Sequence, residues 1–228
     1  MKFIDEPERF RGDGSRNRNG EDLEEFLEHY DARKYDMPSN TVDIIVFKSS
    51  GPYRDPDQPL KLLMVKRSNH PCIGWWALPG GFAEMRENLR SSAARELEEE
   101  TGIKDLPLIQ LRTWGDYRRD PRWRVITTSF LSLVEEELSV RAGDDAAEAC
   151  WMDVRIRKPT GNGGLFELTL GEKSRGLQLK AEVYREKIGK MPLTEWDYKL
   201  VSSEGIACDH ACLILQAYLR LKEEVFGS

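Results

Sequence analysis

Gly81-Phe-Ala-Glu-Met-Arg-Glu87, Asn88-Leu-Arg-Ser-Ser-Ala-Ala94 and Arg95-Glu96-Leu97-Glu98-Glu99-Glu100-Thr101-Gly102-Ile103 follow one another without a break in this chain. Residues 88–100 are rich in helix formers and contain neither Pro nor interior Gly, which predicts a helix. Asn88 suits the N-cap and Gly102 the C-terminal cap. On that helix Glu96, Glu99 and Glu100 are spaced i, i+3, i+4 and fall within an arc of roughly 100° on one face. Three carboxylates that close repel one another unless a cation sits among them. Oxygen-only donors favour a hard divalent ion, Mg²⁺ first and Mn²⁺ second. Glu87, at the helix entrance, is a further ligand or a partner for Arg95. Pro79-Gly80-Gly81 forms the sharp loop that lets backbone approach a phosphate. Glu98 keeps the plainer reading of a solvated helix face.

The chain has 228 residues, 39% of them hydrophobic and 32% charged, with a formal net charge of −6. That balance supports a real core and argues against a broad nucleic-acid-binding face. No 18-residue apolar run is present, so no membrane span is expected. Met1-Lys-Phe-Ile-Asp-Glu-Pro-Glu lacks the apolar core of a signal peptide, which points to the cytoplasm. The four cysteines, Cys72, Cys150, Cys208 and Cys212, do not follow a zinc spacing. Cys208 and Cys212 read as two buried free thiols, i,i+4 on an apolar helix.

Residues 1–20 are polar and read as a mobile arm or a loosely packed extension. Glu21 to Tyr30 reads as a short acidic helix with Leu23, Phe26 and Leu27 on one side, ended by Pro38-Ser39-Asn40. Strands are expected at Thr41 to Phe47, at Leu60 to Lys66 as its hairpin partner, at Trp75 to Leu78, Leu108 to Thr113, Arg124 to Val134 and Glu148 to Asp153. A final helix runs from about Ala207 to Val225. Between Arg155 and Gly205 lies an insertion. Leu165 to Leu170 and Leu177 to Tyr184 alternate there as a hairpin, after the turn cluster Thr160-Gly-Asn-Gly-Gly164. The order of elements predicts an α/β fold, an α/β/α sandwich on a mixed β-sheet. The expected division is an N-terminal extension, 1–38, and one domain, 39–228, with a β-rich insertion at 155–205.

The stretch from Gly81 to Ile103 fills every defined position of the pattern G-x5-E-x7-R-E-U-x-E-E-x-G-U, where U is apolar. With ordinary residue frequencies a chance match in a chain this long has odds below about one in a million. The segment therefore resembles the Nudix hydrolases, enzymes that cleave nucleoside diphosphates linked to another moiety. The resemblance covers roughly residues 40–155 and 205–225. It implies the Nudix fold, Mg²⁺ or Mn²⁺ on Glu96, Glu99, Glu100 and Glu87, and an Arg95 that orients the carboxylates. The run Arg119-Asp120-Pro121-Arg122 before a long strand resembles the ADP-ribose pyrophosphatase branch and the Nudix-related regulators of NAD metabolism. Arg119, Arg122 and Arg124 offer forked donors for substrate phosphates beside Gly80 and Gly81. Trp114, Tyr117 or Trp123 offers a stacking face for adenine. That branch usually carries Gly after the second Arg, where this chain has Trp123. For the general base, Glu99 and Glu100 compete with the acidic loop Gly143-Asp144-Asp145-Ala-Ala-Glu148, and so with Glu148.

The expected activity is Mg²⁺-dependent hydrolysis of ADP-ribose to AMP and ribose 5-phosphate, with a small nucleotide as partner and a homodimer as the assembly. Two alternatives stand beside it. One is a Nudix hydrolase of oxidised nucleoside triphosphates or dinucleoside polyphosphates. The other is a non-catalytic ADP-ribose-sensing regulator, against which the filled box and the apparent want of a winged-helix segment both speak.

Overall fold

A computed structural model describes residues 3–138, 140, 146–158 and 164–227; for 146 and 147 it describes the backbone alone. The chain forms two compact units, Met1–Met37 and Pro38–Ser228. In the first, helix α1 (Leu23–His29) begins with a capping box. Glu25 N donates to Asp22 Oδ1 and Asp22 N donates to Glu25 Oε2, each at 3.0 Å. None of its residues is buried, and Phe26 is exposed. A single 3₁₀ turn, Pro7–Phe10, precedes it.

The second unit is built on strands β1 (Ser39–Ser49), β2 (Leu60–Arg67), β3 (Trp76–Ala77), β4 (Gly80–Phe82), helix α2 (Leu89–Thr101), β5 (Ile109–Trp114), β6 (Val125–Val134), β7 (Ala146–Arg157), β8 (Leu165–Glu172), β9 (Leu177–Lys190), β10 (Leu193–Glu204) and helix α3 (His210–Phe226). The strands form one sheet in the order β10-β9-β8-β7-β2-β1-β6-β5, with β3 paired to β2 and β4 to β1. β1 and β6 run parallel and all other named pairs are antiparallel, so the sheet is mixed.

β1 explains the layering. From Val42 to Ser49 every residue is buried, as expected of a central strand covered on both faces. Val42, Ile44 and Val46 point one way and join Ala93 and Leu97 of α2 and Phe130 of β6. Ile45 and Phe47 point the other way and join Leu62, Met152 and the apolar side of α3, with Leu213, Ile214 and Ala217. Period-2 alternation thus delivers one strand's side chains to two helical layers, which makes the α/β/α sandwich.

The insertion completes the second layer. β7 is longer than its sequence pattern suggested because its two halves have different partners. Residues Ala146 to Asp153 pair with β2, and Asp153 to Arg157 pair with β8. Leu168, Leu170, Leu179, Ala181 and Val183 then pack into the α3 cluster. The sequence reading missed β10, although Trp196, Tyr198 and Leu200 alternate with charged residues along it. It also placed Cys208 on the closing helix. Cys208 instead precedes that helix with φ 48°, in the left-handed region. The loop residues Gly143, Asp144 and Asp145, and the turn residues Thr160 to Gly163, lie outside the described residues.

Candidate active site

Helix α2 presents the carboxylates. Gly102 ends it at φ 74°, where its N–H reaches Glu98 O at 2.8 Å. At the other end Asn88 occupies the N-cap position without a side-chain capping bond. Glu87 is fixed instead by Ser92, whose hydroxyl donates to it at 2.7 Å.

Arg95 ties the box together. Its Nε and Nη2 donate to Glu87 at 3.1–3.3 Å. Its Nη1 donates to Glu96 at 2.8 Å and to Glu99 at 2.9 Å, and Nη2 also reaches the Phe82 carbonyl at 3.1 Å. The guanidinium therefore links α2 to β4 while holding three acids. It keeps the Glu87 carboxyl below the usual range, with help from Ser92. Glu87 stays outside the cavity lining and is engaged by Arg95 and Ser92, the second of the two roles its position allowed.

The adjacent cavity has a volume of about 630 Å³, and Glu96, Glu99, Glu100 and Arg95 all line it. β4 lies against these acids at two glycines. Gly80 N donates to Glu100 Oε2 at 2.9 Å. A Cβ on Gly81 would meet the Glu96 carboxylate at 2.4–2.6 Å. The pair is thus a close backbone approach to two acids. Burial pushes the Glu100 carboxyl up to about 7, against the Gly80 hydrogen bond and with further upward pushes from Glu96 and Asp43. Burial also raises Glu96, although Arg95 opposes it. Glu99 is the most exposed of the three, at 57% of its side chain.

Among the described residues no three His, Cys, Asp or Glu side chains are already clustered closely enough to hold a metal ion. Arg95 takes up Glu96 and Glu99 in that arrangement. The donor set nonetheless fits a hard divalent cation. It is all carboxylate, and Glu100 bears an ionisation penalty that a cation beside it would remove.

The arginine run is only partly at the cavity. Arg119 lies at its floor, but its guanidinium is buried and bidentate to Asp209 at 2.9 and 3.0 Å, with Asp43 at 3.7 Å. It is therefore committed to two acids rather than open to a phosphate. Arg122 lines the cavity, held by Asp120 at 2.7 and 3.0 Å and lying 5.5 Å from the Phe82 ring. Arg124 donates to Gly115 O at 2.7 Å and stands outside the lining. Trp114 is buried against Tyr198 and donates to Ser129, so it offers no stacking face. Tyr117 and Trp123 also lie outside the lining; among the described residues, half-exposed Phe82 is the Phe, Tyr or Trp that lines the cavity.

Glu148 does not line the cavity. It sits on β7 and pairs with Lys66 at 2.8 Å and with Arg175. Those two cations, Lys66 first, hold it below the usual carboxylate range.

A buried polar group beneath the cavity escaped the sequence reading. Asp43 accepts from Thr127 at 2.7 Å and faces Arg119 and His210. Leu78 N donates to His210 Nδ1 at 2.9 Å, which places the ring proton on Nε2, 3.6 Å from Asp43. Burial lowers the His210 pKa, so the ring is neutral. These contacts fasten β1, β6, the arginine run and the start of α3 to one another. The signal was Asp43 itself, one acid in an apolar strand.

Residues 37–162 match the NUDIX domain, more than half of the chain. The chain belongs to the Nudix family. Among curated proteins, this Nudix chain is 36% identical over 133 residues to the ADP-ribose pyrophosphatase of Methanocaldococcus jannaschii, covering 57% of this chain and 72% of that protein. It is 38% identical over 111 residues to the ADPR responsive transcriptional repressor NtrR of Acinetobacter baylyi, covering 48% of this chain and 42% of the repressor. Among solved structures, a MutT/nudix family protein from Enterococcus faecalis is 27% identical, with a TM-score of 0.67 over 97% of this chain and 76% of that one. The NUDIX domain of Shewanella oneidensis NrtR, complexed with ADP ribose, is 26% identical with a TM-score of 0.58, covering 88% of this chain and 99% of that one. The Nudix fold and Nudix box expected from residues 81–103 are thus in place.

Proposed function

We propose that this Nudix chain hydrolyses the pyrophosphate bond of ADP-ribose, giving AMP and ribose 5-phosphate, with Mg²⁺ as its cation. The observation that carries the reading is the filled box on one wall of the cavity, where Gly80 and Gly81 bring backbone against the half-buried Glu100 and Glu96. Similarity to a pyrophosphatase of that name and to an ADP-ribose-bound Nudix domain supports the choice of substrate.

Glu96, Glu99 and Glu100 would hold the cation, with Mn²⁺ as a substitute. When bound, it neutralises the diphosphate and acidifies a water. Arg95 keeps the carboxylates in register with β4 and stays charged, since Glu87 and Glu96 raise its pKa. The proton of the attacking water falls to a box carboxylate, Glu99 or Glu100, because Glu148 is paired elsewhere. Arg122 and Phe82 bind a part of the substrate that does not react. Catalysis of this kind is mostly positioning and charge stabilisation.

A panel of ADP-ribose, sugar nucleotides, diadenosine polyphosphates and oxidised dGTP, assayed with Mg²⁺ and with excess EDTA, tests the reading. ADP-ribose turnover should lead and vanish in EDTA, and Glu99→Gln should lower kcat by about a hundredfold. A tenfold preference for oxidised dGTP would overturn the substrate. Full activity in EDTA would overturn the chemistry. The repressor's similarity favours one other reading, an ADP-ribose sensor, for which ADP-ribose binds without being turned over.

The assembly proposed is a homodimer. β10 is an outer strand of the sheet, and Leu193 and Val201 on it are 82% and 56% exposed. Apolar side chains exposed on an outer strand call for a cover, and a two-fold partner is the commonest one. Light scattering on a size-exclusion column should give the two-chain mass at micromolar concentration; a single-chain mass rejects it. No described helix is long and apolar enough to cross a membrane.

A further inference from the structure

Two thiols meet at the rim of the cavity. The Sγ atoms of Cys72 and Cys208 are 4.0 Å apart although 136 positions separate them in sequence. Cys72 follows Pro71, a residue of the β2–β3 connection that lines the cavity. Cys208 lines the cavity itself and precedes Asp209 and His210. Both backbones are left-handed, with φ of 59° and 48°, a region that few non-glycine residues occupy. Both residues are partly exposed, whereas Cys150 and Cys212 are buried. None of the box chemistry uses either of them.

We propose that Cys72 and Cys208 are a modification site, closing a reversible intramolecular disulfide when the protein meets a peroxide. The Cys72 thiol gives its sulfur electron pair to one peroxide oxygen, forming a sulfenic acid as the O–O bond breaks and one water leaves. The Cys208 sulfur then attacks that sulfenic sulfur, the S–S bond forms, and a second water carries away the hydroxyl and the thiol proton. Two thiols lose two electrons in all, and the peroxide is reduced to two waters. Burial and the neighbouring Cys72 push the Cys208 thiol up to about 12.

Closure has to shorten the sulfur separation from 4.0 Å to a bond of about 2.05 Å. That movement acts on two anchored segments. On one side Pro71 O accepts from Arg67 Nε at 2.6 Å. On the other, Asp209 holds Arg119. Drawing the sulfurs together pulls the cavity rim toward the start of α3, so the oxidised protein should bind its nucleotide more weakly. This effect on the cavity rests on the nucleotide reading above, whereas the cross-link itself does not.

The test treats the full chain with hydrogen peroxide, unfolds it in denaturant, blocks remaining thiols with an alkylating agent and maps the peptides by mass. The expected result is a monomer lighter by about 2 Da before alkylation, with Cys72 joined to Cys208 and the other two cysteines alkylated. Dithiothreitol should restore all four thiols. Cys72→Ser and, separately, Cys208→Ser, each checked for an unchanged circular dichroism spectrum, should lose the cross-link. If Cys72 and Cys208 both remain alkylatable after peroxide, or cross-link to other cysteines or between chains, the proposal fails. A calorimetric titration with ADP-ribose on the reduced and oxidised forms reads the second half. A several-fold weaker Kd after oxidation is expected, and equal affinities would overturn the coupling. If neither form binds ADP-ribose, the nucleotide reading fails while the peptide map still decides the disulfide.

Discussion

Gly81→Ala should separate catalysis from folding. The added Cβ would stand 2.4 Å from the nearest Glu96 oxygen, and ordinary contact begins near 3.4 Å, so the carboxylate must retreat by about 1.0 Å. The obstacle is the far end of a flexible side chain rather than backbone, so the fold can absorb it at small cost. The active geometry cannot, because a misplacement of about 1 Å at a catalytic group costs on the order of a hundredfold in rate. That is about 2.7 kcal/mol of barrier. Gly80→Ala is the matching control. Its Cβ would lie 2.1 Å from the Val42 carbonyl and 3.1 Å from Asp43 Cα, at a φ of 154° that L side chains rarely adopt. Backbone has to move there, so stability should fall. Thermal melts and kcat/KM for ADP-ribose on both variants give the comparison. Gly81→Ala should melt within a few degrees of the parent and lose about a hundredfold in kcat/KM, while Gly80→Ala should melt well below it. A Gly81→Ala protein with kcat/KM within threefold of the parent would refute the placement of Glu96 against β4.

Glu100→Gln should stabilise the metal-free protein at alkaline pH. A carboxyl raised from 4.5 to about 7 binds its proton more tightly when folded, so folding is favoured below pH 4.5, the penalty grows between 4.5 and 7, and it is complete above 7. The shift corresponds to about 3 kcal/mol; urea unfolding in EDTA at pH 8 should show a gain of up to that size, absent at pH 4.5, and equal stabilities at both pH values would contradict it. Arg119→Ala should cost about 3–5 kcal/mol, because it strands the buried Asp43 and the half-buried Asp209; a loss below 1 kcal/mol by urea unfolding would remove that role. Arg122→Ala should raise KM more than it lowers kcat, since it grips a part of the substrate that does not react; steady-state kinetics showing the reverse would place it at the reacting phosphate.

The box was legible because its chemistry and its local structure use the same residues. The spacing that sets Glu96, Glu99 and Glu100 on one face of α2 is also the helical period, and Gly102 stops the helix where its φ demands a glycine. β1 was legible from its apolar run alone. What did not show in sequence depends on partners far along the chain. Arg119 reads as a phosphate ligand until Asp209, 90 positions later, takes its Nε and Nη2. Trp114 reads as a stacking ring until Tyr198 covers it. Glu148 reads as a free acid until Lys66 and Arg175 claim it. β10 was missed because most of its side chains stay partly or fully exposed, leaving its alternation without a buried face to set it off.

Arg112 shows where a shortened version of this molecule would come apart. It stands on β5, at one end of the strand order, yet its Nη1 donates to Trp196 O on β10, at the other end, at 2.6 Å. Its guanidinium also lies 5.0 Å from the Trp114 ring and 6.0 Å from that of Tyr198. The sheet therefore bends until its two margins touch, with α3 inside the curve beside β9 and β10. The span recognisable as NUDIX domain stops at residue 162, before β8, β9, β10 and α3 begin. A fragment cut at that boundary would keep every box carboxylate and still leave Phe47, Leu62 and Met152 facing water, because their cover comes from α3 and the strands that curl around it. The boundary that homology draws and the boundary at which the chain can fold are different places, and trimming for expression should follow the second.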